Sequence, residues 1–346
     1  MTDTPGTEEL GAGALAADAG TTPPAVRRAP VLSGRLAGQS WLRPVLLVVG
    51  LVVVWGLPRW LYPPVAIDIL CWALLAVSVD LLLGYVGLLS FGHAAFWGSS
   101  AYVTGLVAAK LGAPFPVAVL AGALVAALIA APIGYLAVRR TGIYFAMVTL
   151  AFAQMLYFVA NEWRSVTGGE NGLQDVPRTL FGVDLSDPYY FYYWMLPLAL
   201  LGFGIAWRVV HSPFGRVLVA IRDNASRVRA LGYPAHLYKI AAFVLSAFLA
   251  GLGGGIFAEA HGFVSLDVLH WTTSGKAVVL VVLGGIGTLW GGTLGAAIVV
   301  RLEDWLSLQH FEQVSLVTGA LFVVVVLLFR RGIWGTAAHL ARRWRR

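Results

Sequence analysis

Hydrophobic positions along this chain gather into nine long runs, at about 44–58, 65–83, 93–109, 116–138, 142–160, 191–207, 240–258, 277–299 and 313–329. Several carry no charge at all. No Asp, Glu, Lys or Arg lies between Lys110 and Arg139, from Gly142 to Asn161, from Tyr189 to Trp207, or from Ala277 to Val300. A helix of about 20 apolar residues crosses the hydrocarbon of a bilayer. One charge at the centre of such a span costs roughly 2.5–3.5 kcal/mol or more, so uncharged stretches of this length read as crossings. The pattern predicts an all-α polytopic membrane protein with about 8–10 transmembrane segments, some broken or re-entrant.

Glycine interrupts the pattern twice, at Leu83-Gly-Tyr-Val-Gly-Leu-Leu-Ser-Phe-Gly92 and at Leu283-Gly-Gly-Ile-Gly-Thr-Leu-Trp-Gly-Gly-Thr-Leu-Gly295. Dense glycine inside an apolar stretch breaks a helix. Paired breaks in corresponding halves point to a transport pathway built from two repeats. Close helix packing through small residues is the other reading that fits. The candidate pathway residues are Asp80, Gly87, Ser90, Gly92 and His93 at the first break, and Gly284, Gly285 and Gly287 at the second. Thr149 joins them from an uncharged span, where its hydroxyl is expected to bond its own helix. His93 either bonds a passing carboxylate or fixes the break by bonding a freed carbonyl. Asp80 is the ionisable residue nearest a span interior, close enough to the break to be wetted. Asp68 and Glu259, nearer the ends of their runs, are expected at the interfaces.

Basic residues orient the chain. Nine simple crossings from a cytoplasmic amino tail would leave the carboxyl-terminal arginines outside, against the positive-inside rule. A re-entrant turn at 283–295 returns them to the cytoplasm. It places 18 of the 24 Lys and Arg inside, against 13 without it. The expected organisation is a disordered cytoplasmic tail over 1–40, a permease domain over 41–334, and a basic cytoplasmic tail over 335–346. The first apolar run begins too late for a cleaved signal peptide, so the tail is expected to be retained.

Residues 208–239 then face the cytoplasm and 161–190 lie outside. Within the internal loop, Ser212 suits an N-cap and Pro213 a helix start, while Gly232 and Pro234 suit a stop. Phe214, Val217, Leu218, Ile221, Val228 and Leu231 recur at helical spacing, with Arg216, Arg222, Asp223, Asn224 and Arg227 opposite. This predicts an amphipathic helix over about 212–232. It lies either on the lipid surface or in a groove of a soluble partner.

Composition supports lipid as the main solvent: 59% of residues are hydrophobic and 12% charged, where soluble domains carry about a quarter charged. The formal charge of +7 sits in short loops between apolar runs, which argues against a nucleic-acid surface. Cys71, the single cysteine, allows no disulfide within the chain and no thiolate metal cluster.

Ser212-Pro-Phe-Gly-Arg216, Ala220-Ile-Arg-Asp-Asn224 and Ala230-Leu-Gly232 resemble the cytoplasmic loop of branched-chain amino-acid ABC permeases of the LivM type. The resemblance continues through Lys239–Ser246, Ala250–Gly254, Leu283–Thr288, Gly84–Gly87, Leu89–Phe96, Gly142–Ala146 and Thr167–Leu173, over roughly 65–330. It implies import of Leu, Ile or Val across a bacterial plasma membrane. It also implies a second, LivH-like permease, two cytoplasmic ATPases that hold the ATP and Mg, and an extracytoplasmic binding protein. Carried over, Arg216, Arg222, Asp223, Asn224, Ala230 and Gly232 form the ATPase-coupling surface. Thr167, Gly168, Gly169 and Asn171 stand at the external mouth, as vestibule or as an ordinary glycine-rich loop.

The chain has no Gly-x-x-x-x-Gly-Lys-[Ser/Thr], so it is expected to bind no cofactor and to hydrolyse no ATP itself. His-Glu-x-x-His and Gly-x-Ser-x-Gly are absent as well, which argues against an intramembrane hydrolase. Two rival transport readings stand beside the importer of branched-chain amino acids. One is a related ABC permease for urea, short amides or other amino acids. The other is an ion-coupled secondary transporter, which would usually need more buried ionisable residues than Asp80.

Overall fold

The apolar runs become helices close to where the pattern places them. The computed structural model describes residues 42–180 and 182–309, with Val317, Gly319, Ala320, Val323 and Gly332. The expected 1–40 tail, the 335–346 tail and nearly all of the last apolar run lie outside the described residues. The helices are α1 (Leu42–Trp60), α2 (Pro63–Leu83), α3 (His93–Leu111), α4 (Phe115–Ala137), α5 (Ile143–Glu162), the short α6 (Arg164–Thr167), α7 (Pro188–Val210), α8 (Pro213–Ala230), α9 (Ala235–His261), α10 (Trp271–Gly284) and α11 (Trp290–Leu308). The chain divides into two units, Met1–Val53 and Val54–Arg346. The first holds the start of α1, and the second holds α2 to α11.

Proline opens α2, α4, α7 and α8, where its missing N–H has no helical partner to lose. Among the described residues, five helices, α2, α4, α5, α7 and α9, are long and apolar enough to cross a membrane. α2 runs through the middle: 89% of its apolar window is buried, against 28% for α5. α9 packs on α2, α3 and α4. It can do so because its glycines remove the side chains that would hold the helices apart. A Cβ on Gly254 would strike the Trp97 backbone, and one on Gly251 would meet Ala123. Ser100 donates to the Gly251 carbonyl at 2.6 Å and Thr104 to the Ala118 carbonyl at 3.3 Å. Small residues and interhelical hydrogen bonds of this kind hold helices together where lipid removes the hydrophobic drive.

The run 277–299 is two helices and not one. α10 ends at Gly284 and α11 returns alongside it. Gly284 presses on the Gly291 backbone, Gly295 faces the Leu280 carbonyl, and Lys276 pairs with Glu303 at 2.6 Å. These contacts define an antiparallel hairpin, the re-entrant turn that the glycine run predicts. α11 also lies along α2, with Gly292 at Ala76 and Val300 among Val65 and Ile69.

The hairpin's dependence on close backbone approach gives a testable outcome. Gly284→Ala should destabilise the solubilised protein by about 1–3 kcal/mol, the usual penalty of overpacking, read as a fall in thermal midpoint. Gly275→Ala, which meets open space on the same helix, should be neutral or stabilising by up to about 1 kcal/mol through helix propensity. Equal effects at the two positions would contradict the packing account.

Candidate functional site

Both glycine breaks border the core, with Gly87 and Ile286 exposed, and each frees backbone groups that need partners. At the first, α2 ends and Gly87 turns through a positive φ of 78°, which suits a residue without a Cβ. The Leu88 N–H reaches back to the Leu82 carbonyl at 3.0 Å. The chain then runs without helix to His93, where α3 begins.

Side chains of α5 and α10, and Ser90 within the break, supply partners for its backbone N–H groups. Phe91 N–H donates to the Thr149 hydroxyl at 3.2 Å, and that hydroxyl donates to Ala146 in its own helix at 2.9 Å. Gly92 N–H donates to Ser90 at 3.1 Å and Ala94 N–H to Ser274 at 2.7 Å. His93 Nε2 lies 2.8 Å from the Ser246 hydroxyl, which itself donates to the Ser78 carbonyl at 2.6 Å. The Ser246 proton being committed, His93 must donate from Nε2, which fixes its tautomer. Ser78, Ser90, His93, Thr149, Ser246 and Ser274 are all buried. The result is a polar cluster inside the core, in which His93 meets the Ser246 hydroxyl.

The second break is held by a carboxylate. Asp80 Oδ1 accepts from Gly287 N–H at 2.7 Å and Oδ2 from Leu289 N–H at 3.0 Å. Leu289 has a φ of +58° and Gly287 one of +75°. The left-handed region is costly for leucine, and such strain persists only where its surroundings enforce it. Thr288 braces the same turn, donating to the Gly285 carbonyl at 2.7 Å and accepting from Gly291 N–H at 3.0 Å. Gly285 itself takes a φ of 118° as the chain leaves α10. Asp80 is therefore not a wetted residue beside the break: it is fully buried and ties α2 to the α10–α11 turn.

Arg222 of α8 completes this junction. Its Nη1 donates to the Gly84 carbonyl, its aliphatic stem lies against Gly87, and its charge interacts with Asp80. It also pairs with Asp223 at 3.5 Å. Helical spacing assigns Arg222 to the outward polar face. Its side chain turns inward because the carbonyl at the end of α2 needs a donor that the broken helix no longer provides.

α8 is not the single continuous helix expected over 212–232. Asn224 leaves helical geometry, with φ −161° and ψ 94°, and its side chain accepts from Arg227 N–H at 2.9 Å. Asn224 thus caps a second short helical segment. Ser212 caps the first, accepting from Gly215 N–H at 3.3 Å, and Gly232 succeeds the helix end with φ +87°. Ile221, Val228 and Ala235 form an inner cluster with Val217 and Tyr238. Arg216, Asp223, Ala230 and Gly232 are not part of it: Asp223 and Gly232 are exposed, as is Arg216. Leu231, expected on the inner face, is 71% exposed, because the kink rotates the second segment. It borders a surface groove of about 290 Å³ with Arg216, Val217, Ala220 and Tyr233.

In the 161–190 segment Thr167 donates to the Ala160 and Trp163 carbonyls and accepts from Gly169 N–H at 3.3 Å. Gly168 takes a positive φ where a Cβ would strike Gly172. Asn171 offers its carbonyl to Gln174 at 2.8 Å. Leu173 bridges Val264, and Thr179–Leu180 pairs antiparallel with Val183–Asp184. Burial pushes the Arg178 guanidinium's pKa down, opposed by Glu259 and Asp184. Glu259, expected at an interface, is fully buried, with neither oxygen hydrogen-bonded among the described residues. Asp68 is partly exposed and faces His261 at 3.6 Å.

The structure therefore brings Asp80, Gly84, Gly87, Arg222 and Gly287 to one junction, and Ser90, Gly92, His93 and Thr149 to another. Residues 167–171 belong to neither. Ser78, Ser246, Ser274 and Leu289 escape sequence reading. Ser78 and Ser246 stand alone in apolar runs, where a hydroxyl ordinarily bonds its own helix, Ser274 lies in the polar stretch before the run 277–299, and nothing in the sequence marks a leucine for positive φ.

The chain matches the family described as "Branched-chain amino acid transport system / permease component" over residues 61–326. It is 28% identical over 333 residues to the high-affinity branched-chain amino acid transport system permease protein LivM of Escherichia coli K12, covering 88% of this chain and 77% of the relative. The Salmonella typhimurium LT2 protein of that name is 27% identical, with the same coverage. The autoinducer 2 import system permease protein LsrC of Photorhabdus laumondii is 34% identical over 124 residues, covering 33% of this chain and 35% of the relative. No solved structure matches the chain.

The two bonds at Asp80 predict a graded response. Asp80→Ala should lower the stability of the solubilised protein by roughly 2–5 kcal/mol, since two buried N–H groups lose a charged acceptor. Asp80→Asn, which keeps one acceptor oxygen, should fall between. Thermal midpoints within error of wild type for both would refute the clamp.

Proposed function

The chain belongs to the branched-chain amino acid transport permease family, and from that premise we propose that it is the transmembrane permease subunit of an ATP-driven importer of Leu, Ile and Val. It is a multi-pass permease component of an ABC transport system. In our reading it sits in a bacterial plasma membrane with both termini in the cytoplasm. A second, LivH-like permease completes the pathway, and two ATPases bind ATP and Mg. An extracytoplasmic binding protein delivers the amino acid to the 161–190 side. The chain itself carries no cofactor and takes no part in nucleic-acid binding.

The observation that carries this reading is Arg222. It belongs to the amphipathic helix that would meet an ATPase, yet its guanidinium holds the carbonyl at the end of α2. Asp80, one turn earlier on α2, holds the second break. A shift of α8 would reach both breaks through one part-buried junction. The groove bordered by Arg216, Leu231 and Tyr233 offers the motor subunit an amphipathic seat. Alternating access then needs only that ATP closure displace α8 and re-aim the two broken segments.

Two measurements on the complex reconstituted with its partner subunits test this. Arg222→Ala should leave copurification and basal ATP hydrolysis intact while uptake falls about tenfold, the scale of losing a part-buried charge-assisted bond; normal uptake would contradict coupling through Arg222. In intact cells the thiol of a Ser226→Cys variant should resist a membrane-impermeant maleimide added outside. Cys71 is fully buried and does not compete. Rapid labelling would overturn the orientation.

A further inference from the structure

Most charged residues around the α9–α10 connection have a partner of opposite sign. Asp68 faces His261 at 3.6 Å, and Lys276 is bound by Glu303 at 2.6 Å. The Lys276 ammonium also covers the Trp72 ring at 4.1 Å from its centroid. Asp267 forms no ion pair among the described residues and is exposed.

Asp267 stands at the rim of a cavity of about 170 Å³ between α2, α3, α9 and the α9–α10 connection. Trp72, Trp97 and Phe257 wall it. Trp72 and Trp97 stack at 5.6 Å and 28°, and Phe257 leans on Trp97 at 5.4 Å. The ring positions are thus fixed by one another. Ser265 and Thr273 contribute hydroxyls to the lining. The volume equals roughly five or six water molecules, room for a compact aliphatic side chain and too little for a drug-sized ligand. Val264, beside this lining, bridges to Leu173 of the 161–190 segment, so the cavity adjoins the face on which an external donor would release its cargo.

We propose that this cavity is a way-station for a free amino acid with a small apolar side chain, resting on the permease function above. The aliphatic group lies against Trp72, Trp97 and Phe257. The α-ammonium meets the Asp267 carboxylate and the two hydroxyls. The unpaired carboxylate selects a cationic group, and the aromatic walls select against a polar side chain. Lys276 already occupies the Trp72 face, so the rings receive hydrocarbon and not a second cation.

The test uses the full complex with its ATPases, second permease and binding protein in liposomes. Ser265→Leu fills the cavity. It should raise the KM for leucine import about tenfold, the scale of one buried aliphatic side chain, and raise that for alanine less. Because that variant could fail to assemble, labelling gives an independent reading. The thiol of Phe263→Cys, at an exposed rim position, should react with maleimide at least about threefold more slowly in millimolar leucine than without it, as expected for an occupied site. A KM change independent of side-chain size, or labelling unaffected by leucine, would overturn the assignment. Wild-type complex that imports no leucine would contradict the proposed function itself. Leucine import that ignores these changes would contradict only the cavity.

Discussion

One carboxylate sets the geometry of the rest. A helix broken inside lipid must find partners for the backbone groups it frees, and each group left unpaired costs several kcal/mol. Asp80 gives both its oxygens to the turn between α10 and α11. The end of its own helix is then left to Arg222, which arrives from α8 and takes the Gly84 carbonyl. Two breaks and one surface helix are joined by three hydrogen bonds. Neither break can change shape without disturbing the other, and α8 cannot move without disturbing both.

The second polar cluster works differently. Around Ser90, His93 and Thr149 the bonds run among hydroxyls, an imidazole and backbone amides, with no charged partner within the network. Neutral bonds of this kind contribute about 1 kcal/mol each and can be exchanged at little cost. A charged clamp at one level and an exchangeable network at another suit a pathway that is pushed from one end and yields elsewhere.

The sequence showed most of the architecture because membrane helices obey simple rules. Long apolar runs marked α2, α4, α5, α7 and α9, and glycine density marked the hairpin between α10 and α11. Arginine distribution alone argued that this run turns back on itself. What remained hidden depends on tertiary context. Leu289 takes a positive φ because Asp80, some two hundred positions away, holds its N–H. Arg222 reads as surface because helical periodicity sees a charge and not the carbonyl awaiting it. Asn224 reads as a contact residue although its side chain caps the next helical segment. Glu259 lies near the end of an apolar run, and nothing in that run announces its full burial.

The central claim is that α8 and the second break move as one body. Spin labels at Ser226 on α8 and at Ile286, which is half exposed in the turn between α10 and α11, report their separation by pulsed electron resonance in the assembled transporter. The account predicts one narrow distance distribution, unchanged between nucleotide-free and ATP-trapped states, that broadens when Arg222 is replaced by alanine. A separation that shifts on ATP trapping in the wild-type complex, or one indifferent to loss of Arg222, would contradict it.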